Sequence, residues 1–270
     1  MSRRWLTALL VAALFALACV SLGRWQWHRH EAKSARADRI ERHYFATRAV
    51  PLSGVLPSPD ATLPLAQEWT LVTATGRYAD QHLMLVRNRP NNGAFGYEVV
   101  VPLRMANGTS LLVDRGWIPN GRTATEPSRT PATPNGDVTV TGWLRLGEPS
   151  LGRQLPKGQL ASVNLAEART QAAAPLYGAY LIRRSEAGAP GEHIEEPQPL
   201  EPPDTGKGPH LAYALQWWLA APVGFVLVFV GARREYLDSS QPTAPAPGGP
   251  PALATPAKAR KTRIWDEEDG

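Results

Sequence analysis

Residues 5–23 read WLTALLVAALFALACVSLG and residues 214–232 read ALQWWLAAPVGFVLVFVGA, two uncharged stretches near opposite ends of a 270-residue chain. About 20 apolar helical residues cross the hydrocarbon core of a bilayer, so each stretch is expected to span a membrane. Pro222 and Gly224 fall inside the second stretch. Membrane helices tolerate both, because neighbouring groups re-satisfy the freed backbone. A cleaved signal peptide is the alternative for the first stretch, and Ala16-Leu17-Ala18-Cys19 hints at a lipoprotein cleavage site. Its apolar run is longer than the ~7–15 residues of a signal peptide's apolar region, and Ala16 stands where such sites carry Leu, so an anchor is favoured.

Basic residues flanking membrane helices set orientation, and long external loops do not count. Arg3, Arg4, Arg233 and Arg234 therefore put both termini in the cytoplasm; Arg24, Arg29 and Lys33 oppose this but open a long loop. With the span starting at residue 5, an organelle transit peptide has no room, so a bacterial cell membrane is the expected location.

Between the spans the pattern changes. Residues 24–48 are polar helix formers without Gly or Pro, which extends the first helix out of the membrane as an arm. From Trp69, short β-branched runs follow one another: WTLVTATG, HLMLVRN, FGYEVVVPL, TSLLVDRGW and DVTVTGWLRL. Pro90-Asn91-Asn92-Gly93, Asn107-Gly108 and Asn135-Gly136 supply turn residues between them, with Asn107-Gly108 a hairpin tip. Asn164 caps a short expected helix reaching Ala173, and AYLIRR at 179–184 is a last strand. The fold class is thus membrane α plus soluble β: two transmembrane helices flanking an antiparallel β-sheet or small barrel with a minor helix. Its segments are a cytoplasmic N-terminus (1–4), transmembrane helix (5–23), external connecting arm (24–66) and external β domain (67–184). A Pro-rich linker (185–209), a second transmembrane helix with an interfacial start (210–232) and a disordered cytoplasmic tail (233–270) complete it.

Composition removes several function classes. The net charge of +5 is dispersed and carries no nucleic-acid-binding signature. Cys19 is the single cysteine, so the chain alone forms no disulfide, CxxC pair or thiolate zinc cage. Hydrolase, phosphate-loop, dinucleotide and HExxH motifs are missing, so an enzyme acting on an envelope substrate ranks last.

The membrane boundaries are more telling. Gly23-Arg24-Trp25-Gln26-Trp27-His28-Arg29-His30 follows the first span, and His210-Leu211-Ala212-Tyr213-Ala214-Leu215-Gln216-Trp217 enters the second. Helical spacing puts His210, Tyr213 and Trp217 on one stripe, where a flat aromatic ligand would stack. Trp and Tyr also collect at membrane interfaces for purely structural reasons. Neutral imidazole is nevertheless a standard axial ligand of haem iron, which makes His210 the leading metal-ligand candidate. His28 and His30 come second, and Arg24 or Arg29 suits propionates. His43, His82 and His193 are expected to be ordinary surface residues. A second cluster, Arg87-Asn88-Arg89-Pro90 with Gly96-Tyr97 and Asp114-Arg115-Gly116-Trp117-Ile118-Pro119, reads either as a partner-binding surface or as a structural corner in which Asp114 pairs an Arg, Gly116 bends the chain and Trp117 fills the core. Arg89 and Arg115 are expected at the ends of adjacent strands.

Taken in order, these pieces resemble the surfeit locus protein one family of cytochrome oxidase assembly factors across residues 5–235. The resemblance is carried by Gly23-x-Trp25-Gln26 with Arg29 and Lys33 downstream, Gly76-Arg77-Tyr78, Arg89-Pro90 with Gly96-Tyr97 and Pro102-Leu103, Arg115-Gly116-Trp117-x-Pro119, Gly142-Trp143-x-Arg145 and His210-x-x-Tyr213-Ala214-x-Gln216-Trp217. It implies a non-enzymatic protein that receives haem a and assists its insertion into the catalytic subunit of cytochrome c oxidase. The implicated haem-binding histidine maps onto His210, with Tyr213, Trp217, Arg24 and His28 around it. Arg89, Arg115 and Trp117 would face partners, namely the oxidase catalytic subunit or haem a synthase, alongside membrane lipid. Asp114 departs from the Asn expected there. The competing expectation is a scaffold that stabilises an oxidase intermediate without binding cofactor.

Overall fold

The computed structural model describes residues 3–123, 126–192 and 194–240. His193 and the tail from residue 241 lie outside the described residues. Helix α1 runs Arg3–Tyr44, followed by strands β1 (Val50–Pro51), β2 (Leu71–Tyr78), β3 (Met84–Asn91), β4 (Ala94–Arg104), β5 (Ser110–Pro119), β6 (Val138–Arg145) and β7 (Gln159–Leu160). Helix α2 (Leu165–Ala172), strand β8 (Leu176–Ala187) and helices α3 (His210–Ala220) and α4 (Val223–Ser239) complete the chain. The described residues divide into two compact units at the boundaries Val20/Ser21 and Trp217/Trp218.

The first unit is a helix pair. Trp5 Nε1 donates to Glu235 Oε2 at 2.9 Å and Arg4 pairs with the same carboxylate, while Gly224 backs onto Ala12. The start of α1 therefore meets the end of α4, and the two run antiparallel. Leu10, Leu14 and Leu17 on one helix and Val226, Leu227 and Phe229 on the other point outward. Hydrocarbon, rather than water, suits such a surface. The segments Arg3–Tyr44 and His210–Ser239 are both long and apolar enough to cross a membrane. The second is interrupted: Pro222 lacks a backbone N–H and stands at the N-cap of α4, so the continuous helix expected over 210–232 is split. The helix also continues to Ser239 instead of yielding to a tail at 233.

The second unit is built on a sheet of eight strands among the described residues, in the order β1-β2-β6-β8-β5-β4-β3-β7. The expected strands are all present, and Asn92 and Gly93 turn the β3–β4 hairpin with positive φ (47° and 76°), as their sequence suggests. The expectation of an antiparallel sheet is corrected. β8 lies parallel to β5, because the chain between them makes a long excursion through β6, β7 and α2 before re-entering; β1 and β7 also pair in parallel. Nor is the sheet a closed barrel. It curls until β2 touches β4 at Arg77↔Arg104 and Tyr78↔Leu103, but β3 extends the sheet past β4 instead of sealing it.

Both faces of the central strands are covered. Val99, Val101, Leu111, Val113, Ala179 and Leu181 join the core enclosed by the curl, and the alternate residues Val100, Leu112, Tyr180 and Ile182 join a second core outside it. Ala168 and Ala172 of α2 and Ile40 of α1 complete that second core. The arm after the first span is thus rooted in the fold: Tyr44 stacks on Trp143 with centroids 4.3 Å apart, and Trp143 Nε1 donates to the Tyr44 carbonyl at 2.9 Å.

Asn164 caps α2 as expected, accepting from the Ala166 and Glu167 amides at 3.1 and 3.0 Å, and its Nδ2 donates to the Glu148 carbonyl at 2.8 Å. Asn164→Ala is expected to lower the unfolding free energy by about 1–2 kcal/mol. Urea denaturation followed by tryptophan fluorescence checks this; an unchanged midpoint would mean that packing alone holds the helix start.

Candidate functional site

His210 is the first residue of α3, and the chain that delivers it is shaped by Gly208. Gly208 has φ +66°, and a Cβ there would lie 3.4 Å from Lys33 Nζ and within 3.6 Å of the His210 ring. Only glycine takes this conformation freely and leaves that space open. Pro209 then starts the helix, its carbonyl accepting from the Tyr213 amide at 3.1 Å.

The imidazole faces α1. His210 Nδ1 lies 2.8 Å from Gln26 Oε1. An amide oxygen only accepts, so this contact is a hydrogen bond in the Nδ1–H tautomer, which leaves the Nε2 lone pair open. Arg29, His30 and Lys33, spaced from Gln26 at helical intervals, are the basic groups around the ring. His30 Nδ1 and Ser34 Oγ, one turn apart, are buried without a hydrogen-bond partner. The site therefore combines an imidazole lone pair, cations and orphaned polar atoms on neighbouring helical faces. That donor set fits a haem: a ligating histidine commonly gives its other ring N–H to a carbonyl, and Arg and Lys suit carboxylates.

Not every expected residue is part of this arrangement. Trp217 is half-buried, Ala214 is fully buried, and Tyr213 is 46 % exposed, so Ala214 rather than Tyr213 occupies the covered face of α3. Arg24 and His28 are exposed, and His28 Nδ1 pairs with Glu31 at 3.3 Å. Gln26, Lys33 and Gly208 carry the geometry instead. The first two could have been found by projecting the helix from residue 26.

The second cluster lies inside the fold. β4 separates β3 from β5, so Arg89 and Arg115 do not end adjacent strands. Arg115 and Glu186 form an ion pair at 2.6 Å with both side chains 0 % exposed. Tyr78 Oη donates to Glu186 Oε2 at 2.8 Å, and Arg115 also donates to the carbonyls of Ala132 and Glu195 at 3.1 and 3.2 Å. Trp117 is buried, its Nε1 donating to the Arg89 carbonyl at 2.8 Å. Arg115 and Trp117 thus make a structural corner, but the acid that pairs the Arg is Glu186 from β8 and not the expected Asp114, whose Oδ1 accepts from the Gly116 amide at 3.0 Å.

The profile of the SURF1 family matches residues 13–221. The chain belongs to the SURF1 family. It is 32% identical over 251 residues to uncharacterised SURF1-like proteins of Mycobacterium bovis and Mycobacterium tuberculosis, with 88% of this chain and 89% of each relative covered. A SURF1-like protein of Dictyostelium discoideum is 30% identical over 108 residues, 38% of this chain and 40% of the relative. The SURF1 family is linked to cytochrome oxidase assembly and is an assembly factor family rather than an enzyme class.

Beside the Arg115 corner, this SURF1 protein holds a cavity of about 550 Å³ lined by Glu98, Asp114, Glu148, Tyr180, Trp69 and Trp143, among others. Arg89 serves two of its carboxylates, through Nε to Glu98 at 2.8 Å and Nη2 to Glu148 at 2.6 Å. Burial pushes the Glu98 carboxyl up to about 7 against the pull of Arg89, with Glu148 adding to the rise. Burial, then the charge of Glu98, also holds Asp114 well above the usual carboxylate range. Both groups bind protons more tightly folded than unfolded. Their contribution to stability is therefore present below the ordinary carboxylate range and is lost as pH rises through about 7 for Glu98. Glu98→Gln is expected to reduce the fall in urea midpoint between acid and neutral pH, leaving the part due to Asp114. Identical pH profiles for variant and wild type would mean that the Glu98 carboxyl binds its proton equally tightly in the folded and unfolded chain.

Proposed function

We propose that this protein receives haem a on His210 at the outer boundary of the cell membrane and assists its insertion into the catalytic subunit of cytochrome c oxidase. The observation that carries the reading is the 2.8 Å contact between His210 Nδ1 and Gln26 Oε1. The contact favours the tautomer with the proton on Nδ1, while burial and then the charges of Lys33, Arg29 and His30 favour the neutral ring, so that Nε2 can serve as a ligand. Haem a, if held, would supply an iron open to an imidazole nitrogen and two propionates open to cations. His210 binds, Gln26 orients, and Arg29 and Lys33 balance charge. Trp217 and the exposed Trp25 and Trp27 provide aromatic surface at the lipid boundary.

The antiparallel helix pair puts the chain ends on one side, and Arg3, Arg4, Arg233 and Arg234 make that side the cytoplasm. With both flanks assigned to the cytoplasm, the sequence between the two spans falls on the outer side, and haem a synthase would be the source of the cofactor. Membership of the SURF1 family supports the link to the oxidase.

The test is the optical spectrum and haem extract of the detergent-solubilised full chain, co-expressed with haem a synthesis enzymes. Wild type is expected to retain haem a, His210→Ala to lose it, and Gln26→Leu to bind it about 10–100-fold more weakly. A wild-type protein that stays free of haem a under this supply overturns the reading and leaves a scaffold that holds an oxidase intermediate without cofactor.

A further inference from the structure

The Pro-rich segment before α3 is not a loose tether. Over residues 195–201 it is fastened to three strands and the β3–β4 turn. Arg115 Nη2 donates to the Glu195 carbonyl at 3.2 Å, and Arg183 Nη2 donates to the Pro197 carbonyl at 3.0 Å. Trp117 and Gln198 exchange backbone hydrogen bonds at 2.8 and 2.9 Å. Asn91 Nδ2 donates to the Pro199 carbonyl at 3.2 Å and Asn91 Oδ1 accepts from the Glu201 amide at 3.1 Å, while Glu201 Oε1 accepts from the Asn92 amide at 2.7 Å.

From Glu201 only residues 202–209 separate this dock from His210, and they include Pro202, Pro203 and Pro209. Proline fixes φ at these three positions, which offsets part of the freedom of Gly206 and Gly208 between them. Two contacts restrict it further: Gly206 N donates to Asp204 Oδ1 at 2.7 Å, and Lys207 Nζ reaches Asp38 Oδ1 on α1 at 3.1 Å. The other half of the site is footed on the same body, because α1 carries Gln26 and is anchored by Ile40, Tyr44 and the contact of His43 Nε2 with the Ala66 carbonyl at 3.0 Å.

We infer that Arg115, Gly116, Trp117 and Asn91 are positioning residues: by clamping residues 195–201 to the β unit they set where His210 meets Gln26. Gly116 is the sharpest point of the clamp. Its φ is +126°, and a Cβ there would lie 2.3 Å from the Gln198 carbonyl oxygen and 3.3 Å from Pro197 Cβ. Any side chain at residue 116 must push the linker off. Asn91 acts differently, through side-chain bonds alone. The inference rests on His210 as the ligand for its functional meaning, but the clamp itself has a readout that needs no haem.

The experiment uses the full chain in detergent, without haem, as wild type, Gly116→Ala and Asn91→Ala. Nitrogen NMR of labelled histidines reads each tautomer. His210 is expected to show the Nδ1–H form in wild type and to revert in both variants to the Nε2–H-dominated mixture of imidazole in water. His43 and His82, which bonds through Nδ1 to the Gln171 carbonyl at 3.2 Å, report whether the β unit is still folded and should not change. Proteolysis between residues 195 and 209 should accelerate, and haem a affinity should fall about tenfold or more. The inference is overturned if the linker becomes cleavable while the His210 signal and haem affinity stay at wild-type values. It is equally overturned if His210 changes only together with His43 and His82, since that is unfolding of the unit. A wild type with a locked His210 signal and no haem a binding sinks the haem reading and leaves the clamp standing.

Discussion

The Arg115–Glu186 ion pair is the interaction on which the β unit turns. With both side chains fully buried, neither charge has water to fall back on, and removing one partner strands the other at a penalty of about 3–5 kcal/mol. The pair is therefore tolerable only because its surroundings complete it. Tyr78 satisfies the carboxylate from β2, the carbonyls of residues 131 and 132 take one side of the guanidinium, and the carbonyl of Glu195 takes another. Segments far apart in sequence become each other's solvent. A linker that composition marks as unstructured is ordered because a buried cation needs its oxygens.

How much of this was readable beforehand follows from the range of each interaction. The strands were legible because their β-branched runs and Asn-Gly turns are local signals, and so was the Asn164 cap, whose Oδ1 accepts from residues 166 and 167. The parallel pairing of β5 with β8 was not, since FGYEVVVPL or TSLLVDRGW looks the same whichever direction its neighbour takes. β1 and β7 have two residues each and leave no periodicity to detect. Arg115 is ambiguous in sequence for a related reason: a basic residue beside a turn serves a surface or a buried pair, and only the arrival of Glu186 from β8 decides between them.

His210 stood out because it opens an apolar helix, and its neighbours on α3 were ordered by simple helical spacing. Its actual companions come from residues almost two hundred positions earlier, where Gln26 is unremarkable among Trp, His and Arg. The arm that carries Gln26 was expected to lie outside the core, yet Ile40 is fully buried in it. One apolar residue in a polar helix is too weak a pattern to announce a packing face, although it is enough to fix one.

The sheet ends deserve a last consideration in terms of what other chains can do to it. Its two margins are β1, made of Val50 and Pro51, and β7, made of Gln159 and Leu160. Pro51 has no N–H to offer, and two residues make too short a ladder for an incoming strand to read. Where β1 and β7 pair, along Val72–Thr73 of β2 and Leu85–Val86 of β3, they occupy the edge that an added strand would use.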